Sequence, residues 1–475
     1  MIVPATIGMT FLVYAYLKRA NLTLTAGDQW VYFYASHLFA EGSIPYRDFF
    51  FSHAPLQILL STLLVKMGVG LIGLNLLPAI IGGFSGIILF VMVKRSAGVE
   101  RTALALIFFL LSYANLMSTL YYTGQELGLF LFLVGMLLFL KRKKGWAGFL
   151  IGLSACASIN MIVNAAVLTI IQLRWNKRSF IPFFAALSGG FAAIQLLFFG
   201  IAGKAYFTQV YLYHLLKPDH TTRLASNTKV FWMMTHAHGL LLLLAICGLI
   251  LFFLERRKET EGAEERHKLL TVSSSLAGAQ ILFLMIIHPI FPHYFVPIAP
   301  FLAILATEAV IVGWKILQKW ISGRNYPLAF ITPIASILLL TGALWHTLKL
   351  YRMEGIVLGI PEIEEVAEAV KSSIGPDATI FGEFGTTPLI SLLSDRRIAG
   401  NVVDSSVMRI MGGQITLKEM IDQIERDNVQ MIVGRGLKDI NAYPPFWKYR
   451  DAHFTLVRSF KAKGHPAVIE LWRRK

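Results

Sequence analysis

Residues 71 to 93 read LIGLNLLPAIIGGFSGIILFVMV, without one ionisable side chain, and Lys94-Arg95 closes the run. A helix of about 20 apolar residues crosses the hydrocarbon core of a bilayer, so this stretch is read as a membrane span. The runs Ala103 to Leu120, Leu127 to Leu140, Leu240 to Leu254 and Leu328 to Leu348 have the same character. Of all 475 residues, 55% are apolar and only 15% charged, against about a quarter charged in a soluble domain. That composition excludes a soluble enzyme and predicts a polytopic α-helical membrane protein.

Hydrophobic runs and breakers together predict about 11 spans, at 2–17, 72–93, 100–119, 124–140, 145–158, 160–173, 180–200, 237–254, 269–288, 293–313 and 326–348. The first differs from a cleaved signal in that Lys18 and Arg19 follow it instead of preceding it. An odd number of spans puts the two ends of the spanning part on opposite sides, and loop charge chooses between them. With the N-terminus cytoplasmic, eighteen Lys and Arg residues fall in inner loops and eight in outer ones. The net charge of +16 belongs to this half: residues 1–349 hold 27 basic and 12 acidic side chains, and 350–475 hold 17 and 16. The basic excess is therefore read as membrane orientation, not as a nucleic-acid footprint. Cys156 and Cys247 sit in apolar runs, with neither disulfide nor metal spacing.

Two outer loops are long, roughly 18–71 and 201–236. In the first, Trp30–Ala40 and Leu56–Val65 read as helices in or near the membrane interface. In the second, His214 and His236 read as part of an aromatic interface belt. From residue 350 the composition becomes that of a small α/β domain, which divides the chain into 1–349 and 350–475 and puts the second part on the extracytoplasmic side. A helical pattern covers Pro361–Ser373. Strand-like runs follow at Ala378–Phe381, Val429–Val433, Thr455–Phe460 and Ala467–Trp472, with helical stretches at Thr387–Leu393 and Leu417–Arg426. The Gly382–Gly385 segment matches no phosphate-binding fingerprint and reads as a turn. Glu383 and Asp404 read as isolated turn residues.

Ionisable side chains kept near lipid are candidates for function. The outer acids of the membrane half are Asp28, Glu41, Asp48, Glu126 and Asp219, of which Glu41 reads as surface. Asp28, in Gly27-Asp28-Gln29-Trp30, is either the cap of the following helix or a catalyst. Glu126 opens an apolar helix, where the dipole favours an acid. If the two share a pocket, one could take a proton from an acceptor hydroxyl while the other orients it, or the pair could hold a divalent cation. In Tyr46-Arg47-Asp48-Phe49-Phe50-Phe51-Ser52-His53, Arg47 and His53 could offset a phosphate, and an Arg47–Asp48 ion pair is the competing reading. Lys217-Pro218-Asp219-His220 is a second polar patch, with a plain turn as its alternative.

The order of an apolar first span, Gly27-Asp28, Tyr32-Phe33-Tyr34-Ala35, Gly42, Pro45-Tyr46-Arg47-Asp48-Phe49 and His53-Ala54-Pro55-Leu56, followed late in the chain by Pro292-His293-Tyr294-Phe295-Val296-Pro297, resembles a known family. It is that of the polyprenyl-phosphate-sugar glycosyltransferases of the C-type membrane superfamily, which includes protein O-mannosyltransferases and lipid A aminoarabinose transferases. The resemblance implies inverting transfer of a single sugar from a polyprenyl- or dolichyl-phosphate carrier to a protein, lipid or glycan acceptor on the extracytoplasmic face of the cell membrane. By motif position Asp28 matches the first-loop catalytic acid, Glu126 the second acid, and His53 the group beside the donor phosphate. Arg47, Asp48, Lys217, Arg223, His293 and Tyr294 are the further donor- and substrate-binding candidates. No nucleotide and no obligatory cofactor is implied, and a divalent metal at Asp28 and Glu126 is left open. The chain departs from the protein mannosyltransferase pattern in lacking a paired acid beside Asp28 and in having Ala54-Pro55 where a Pro-Pro pair is common. The rival readings are a lipid-linked sugar transporter or flippase, which would place ionisable residues nearer the bilayer midplane, an oligosaccharide ligase, and a non-catalytic scaffold.

Overall fold

The structure is a computed structural model that describes residues 2–216, 223–255, 264–287, 290–322, 342, 344–351, 363–435, 440, 443–461 and 468–475. Among these residues, three helices are long and apolar enough to cross a bilayer: Leu71–Ala97, Lys177–Ala202 and Thr235–Leu254. Ile181, Phe184, Leu196 and Leu197 of the second are exposed, as expected of a face turned to lipid. Shorter apolar helices cover Ile2–Leu17, Gln125–Leu140, Lys144–Ala157 and Met161–Trp175. The stretch 100–119, expected as one span, is instead broken. Val99–Leu110 ends, and Ser112 caps a new short helix, Tyr113–Ser118, by accepting from Asn115 N at 3.3 Å. Most of the expected span 326–348 lies outside the described residues.

The helices meet through small residues. A Cβ on Gly148 or Gly152 would lie 2.2 Å from the carbonyl oxygen of Phe183 or Leu187, and one on Gly190 would lie 2.5 Å from Phe149 O. Glycines four apart let two membrane helices touch backbone to backbone, which fixes Lys144–Ala157 against Phe180–Ala202. Elsewhere the buried Glu308 of the Ala299–Ser322 helix takes Arg101 Nε at 2.8 Å and Arg266 Nη2 at 2.6 Å. Those ion pairs tie three helices together.

The C-terminal part is a four-stranded sheet in the order β1-β2-β4-β3, with β1 Ile380–Gly382, β2 Met431–Gly434, β3 Phe454–Lys461 and β4 Val468–Arg474. β1 and β2 run parallel and the other pairs antiparallel. Both parallel strands are buried throughout, because elements cover the two faces of the sheet. On one face Phe381 and Ile432 pack with Met420, Ile424 and Phe446 of the covering helices. On the other, Ile380, Met431, Val433 and Leu471 join a core that contains Trp30, Phe33 and Ile58 of the first loop.

That shared core encloses part of the first loop. In the Gln29–Ala40 helix Gln29 through Ser36 are all buried, between the sheet unit and the Pro55–Lys66 helix beside it. Its residues Trp30-Val31-Tyr32-Phe33-Tyr34-Ala35 are apolar or aromatic all round, which is the pattern of a helix enclosed on every side. Pro55–Lys66, with Leu63 exposed, keeps the one-sided burial of an interfacial helix.

Candidate active site

Asp28 occupies the N-cap position of Gln29–Ala40, but its side chain makes no capping hydrogen bond. The peptide before it is held from the sheet unit, with Gly27 N donating to Gly385 O at 3.1 Å. Gly385 takes φ +79°, and a Cβ there would meet the Gly27 backbone. The Gly382–Gly385 turn thus docks directly beside Asp28, whose side chain is exposed and lines a cavity. Capping does not account for this carboxylate.

His53 is delivered by a strained loop. Tyr46 sits at φ +68°, a conformation unfavourable for a bulky side chain. It is held there by its own hydroxyl donating to His53 O at 2.7 Å and by Gln209 Nε2 donating to Tyr46 O at 2.8 Å. Gln209 also accepts from Phe51 N at 2.9 Å. The result is a His53 Nε2 that lies 2.9 Å from the Tyr32 hydroxyl. Burial first, then the nearby carboxylates of Asp28 and Asp404, push the Tyr32 pKa well up, so the phenol keeps its proton beside the His53 ring. Gln209 itself belongs to a π-helical turn, Thr208–Leu212, a distortion common at functional sites. The residues in and after that turn bring Tyr211, Tyr213 and His214 to the same place, with His214 Nε2 2.6 Å from Ser52 O.

Two cavities adjoin here. A helix-side chamber of about 250 Å³ is lined by Thr123, Gln125, Ser158 and Asn160 together with apolar Ile159, Leu215, Phe283 and Ile287. A sheet-side chamber of about 330 Å³ is lined by Asp28, Tyr32, Ser52 and Phe291, and from the C-terminal part by Phe384, Asp404 and Ser406. His53, His214, His293 and Tyr294 line both and form the wall between them. His293 and Tyr294 reach it from the turn Pro292–Phe295.

Not every expected residue arrives. Glu126 lines neither chamber. It is 2% exposed and accepts from the Ser118 hydroxyl and, at 3.3 Å each, from the Thr123 N–H and hydroxyl. Three local donors turn the carboxylate back onto its own helix start. Gly124 lets the chain turn there, at φ +83°, where a Cβ would fall 2.6 Å from Ala157 O. Lys18, expected in an outer loop, is buried nearby, with Nζ donating to Leu116 O. Among the described residues no group of three or more His, Cys, Asp or Glu could hold a metal ion.

Arg47 and Asp48 form the competing ion pair instead, at 2.8 Å, with Asp48 also accepting from Ile44 N at 2.7 Å. The Arg47 guanidinium first, then that N–H, hold the Asp48 carboxyl below the usual range. The pair is solvent-facing and lines neither chamber. Lys217 lies outside the described residues, as do Asp219, His220 and the side chain of Arg223, whose backbone opens the Arg223–Glu255 helix. Sequence reasoning missed Asp404 and assigned His214 to interface packing. Val403-Asp404-Ser405-Ser406 carries no signal beyond that of a turn, and only tertiary docking gives it a place in the cleft.

No family model matches the chain, and no curated protein matches its sequence. Solved structures do match. ArnT from Cupriavidus metallidurans bound to undecaprenyl phosphate is 14% identical, with a TM-score of 0.65 over 98% of this chain and 97% of that one. The same protein in the apo state gives a TM-score of 0.66 over 99% and 98%. An oligosaccharyltransferase from Archaeoglobus fulgidus, tethered to an acceptor peptide with an NVT sequon, is 10% identical and gives 0.54 over 90% of this chain and 68% of that one. At such identities the likeness shows the fold alone, which this chain shares with ArnT over its whole length and with the oligosaccharyltransferase over most of it.

Proposed function

We propose that this chain transfers a single sugar, with inversion, from a polyprenyl-phosphate carrier to an acceptor hydroxyl on the extracytoplasmic face of the cell membrane, and that Asp28 is the base. The observation that carries the reading is the pair of chambers meeting at a histidine wall, one apolar and amide-lined, the other holding the exposed carboxylate of Asp28. The helix-side chamber suits the carrier's first isoprene units and its sugar, and His53 and His293 offset phosphate charge at the wall. The acceptor oxygen attacks the anomeric carbon as the bond from that carbon to the phosphate oxygen breaks. The phosphate leaves with the electron pair, and the acceptor proton passes to the Asp28 carboxylate. Tyr294, in the wall, borders both reactants.

The topology proposed with it is about 11 spans, a cytoplasmic N-terminus, and a second domain, 350–475, outside. The loop-charge bias supports this orientation. Undecaprenyl phosphate bound to the similar ArnT supports a polyprenyl carrier. The test is sugar transfer by the purified protein in lipid from a panel of labelled polyprenyl-phosphate sugars. Asp28→Asn is expected to lower turnover at least about 100-fold, with the melting temperature measured alongside to show that the variant is folded. Turnover indifferent to Asp28, or none with any donor, would sink the reading. Parallel assays with a chelator and with added Mg²⁺ or Mn²⁺ decide the metal requirement.

A further inference from the structure

The sheet-side chamber has a character of its own. Its described lining holds two carboxylates, Asp28 and Asp404, with no lysine or arginine; its three histidines, His53, His214 and His293, belong to the wall shared with the helix-side chamber, where the carrier phosphate is proposed to lie. Asp404 is 9% exposed and fixed in place: one carboxylate oxygen accepts from Ser406 N at 2.8 Å, and its backbone carbonyl accepts from Arg409 Nη1 at 2.7 Å. Arg409 does not itself line the chamber. Its guanidinium lies 4.4 Å over the ring of Phe50, which does line the chamber. Around the carboxylates stand the aromatic groups Tyr213, Phe291, Tyr294 and Phe384.

Carboxylates are hydrogen-bond acceptors only, and they repel a phosphate brought among them. Hydroxyl groups, by contrast, donate to them, while the C–H faces of a pyranose or furanose ring pack on aromatic side chains. We infer that Asp404, carried by the C-terminal part of the chain, is a specificity-determining residue of this chamber, which takes a neutral, hydroxyl-bearing sugar as the acceptor and rejects a phosphate ester. The inference rests on the transferase reading above. In it, Asp28 takes the proton of the attacking hydroxyl while Asp404 accepts from a second hydroxyl of the same ring and sets its orientation.

The experiment compares wild type, Asp404→Asn, Asp404→Glu and Met408→Lys, full length and in lipid, on a neutral oligosaccharide acceptor and on its phosphomonoester. The wild type is expected to prefer the neutral acceptor. Asp404→Asn should raise the KM for it by about tenfold or more, as loss of a charge-assisted hydrogen bond does, with a smaller change in kcat, and Asp404→Glu should restore part of the difference. Met408→Lys, which puts a cation into the chamber wall, should shift preference toward the phosphomonoester. It also keeps the idea testable if Asp404→Asn fails to fold. A wild type that prefers the phosphomonoester, or a folded Asp404→Asn with unchanged acceptor KM, overturns the assignment. Should the wild type turn over no donor at all, the transferase reading falls. Equilibrium dialysis of the labelled neutral oligosaccharide then decides the chamber on its own, since binding weakened by Asp404→Asn upholds the site and binding indifferent to it does not.

Discussion

Asp28 and Glu126 are both acids at the start of apolar helices, and their surroundings give them different work. Asp28 is exposed in a cavity, whereas Glu126 is enclosed with Ser118 and Thr123. Glu126→Ala would leave two buried hydroxyls and an N–H without their acceptor, at a cost of about 1–3 kcal/mol or more. Thermal unfolding in detergent should register that loss, and activity per folded molecule should fall far less than in Asp28→Asn. His37, on the enclosed Gln29–Ala40 helix, supplies a pH dependence. Burial lowers its pKa, with Glu41 opposing weakly, so the unfolded chain binds the proton first as pH falls. Its contribution is complete above the unfolded value, about 6.5, and is lost below it. The melting temperature should therefore drop between about pH 7 and pH 5, and His37→Gln should flatten the drop; an unchanged profile would exclude His37 as its source.

Among the elements, local pattern was a good guide wherever local physics decides. The expected helix 417–426 is Leu417–Arg426 as observed, started by a Thr416–Glu419 capping box. The four strands lie within a few residues of their apolar runs. Where tertiary contacts decide, local pattern failed: the Ser112 break interrupts a run that reads as continuous. The enclosure of the Gln29–Ala40 helix was hidden because its neighbours are remote in sequence. The contact of Gly148 and Gly152 with Phe180–Ala202 also depends on a partner helix and came only with the structure. Gly152→Leu would drive a side chain into the Leu187 carbonyl, so the Lys144–Ala157 and Phe180–Ala202 helices should separate. Loss of the monodisperse peak on size-exclusion chromatography, or a melting point lowered by several degrees, checks this, and a variant that behaves as wild type would refute the contact.

At the scale of the whole molecule, the sheet unit and the first loop form one piece of structure. Tyr34 OH accepts from Ile398 N at 3.0 Å, and Gly27 reaches Gly385. Tyr34→Phe deletes the acceptor of a buried N–H and should cost about 1–3 kcal/mol. Protease sensitivity of the C-terminal part should rise with it, and activity should decline through displacement of Asp28. A Tyr34→Phe protein with wild-type protection would show the contact to be incidental. The candidate site was half legible for the same reason: Asp28, His53, His293 and Tyr294 stood in recognisable stretches, while Asp404 joins them only after docking.

The glycine turn beside Asp28 has a consequence in time. The residues that seat the first loop are among those made last, because Gly385, Ile398 and Asp404 follow every helix of the membrane half in the chain. A ribosome that has delivered the first loop has delivered Asp28 without the structure that holds it. The cleft is thus assembled only when the C-terminal part has been made and has folded, and a nascent chain halted before that point would carry its carboxylate unseated.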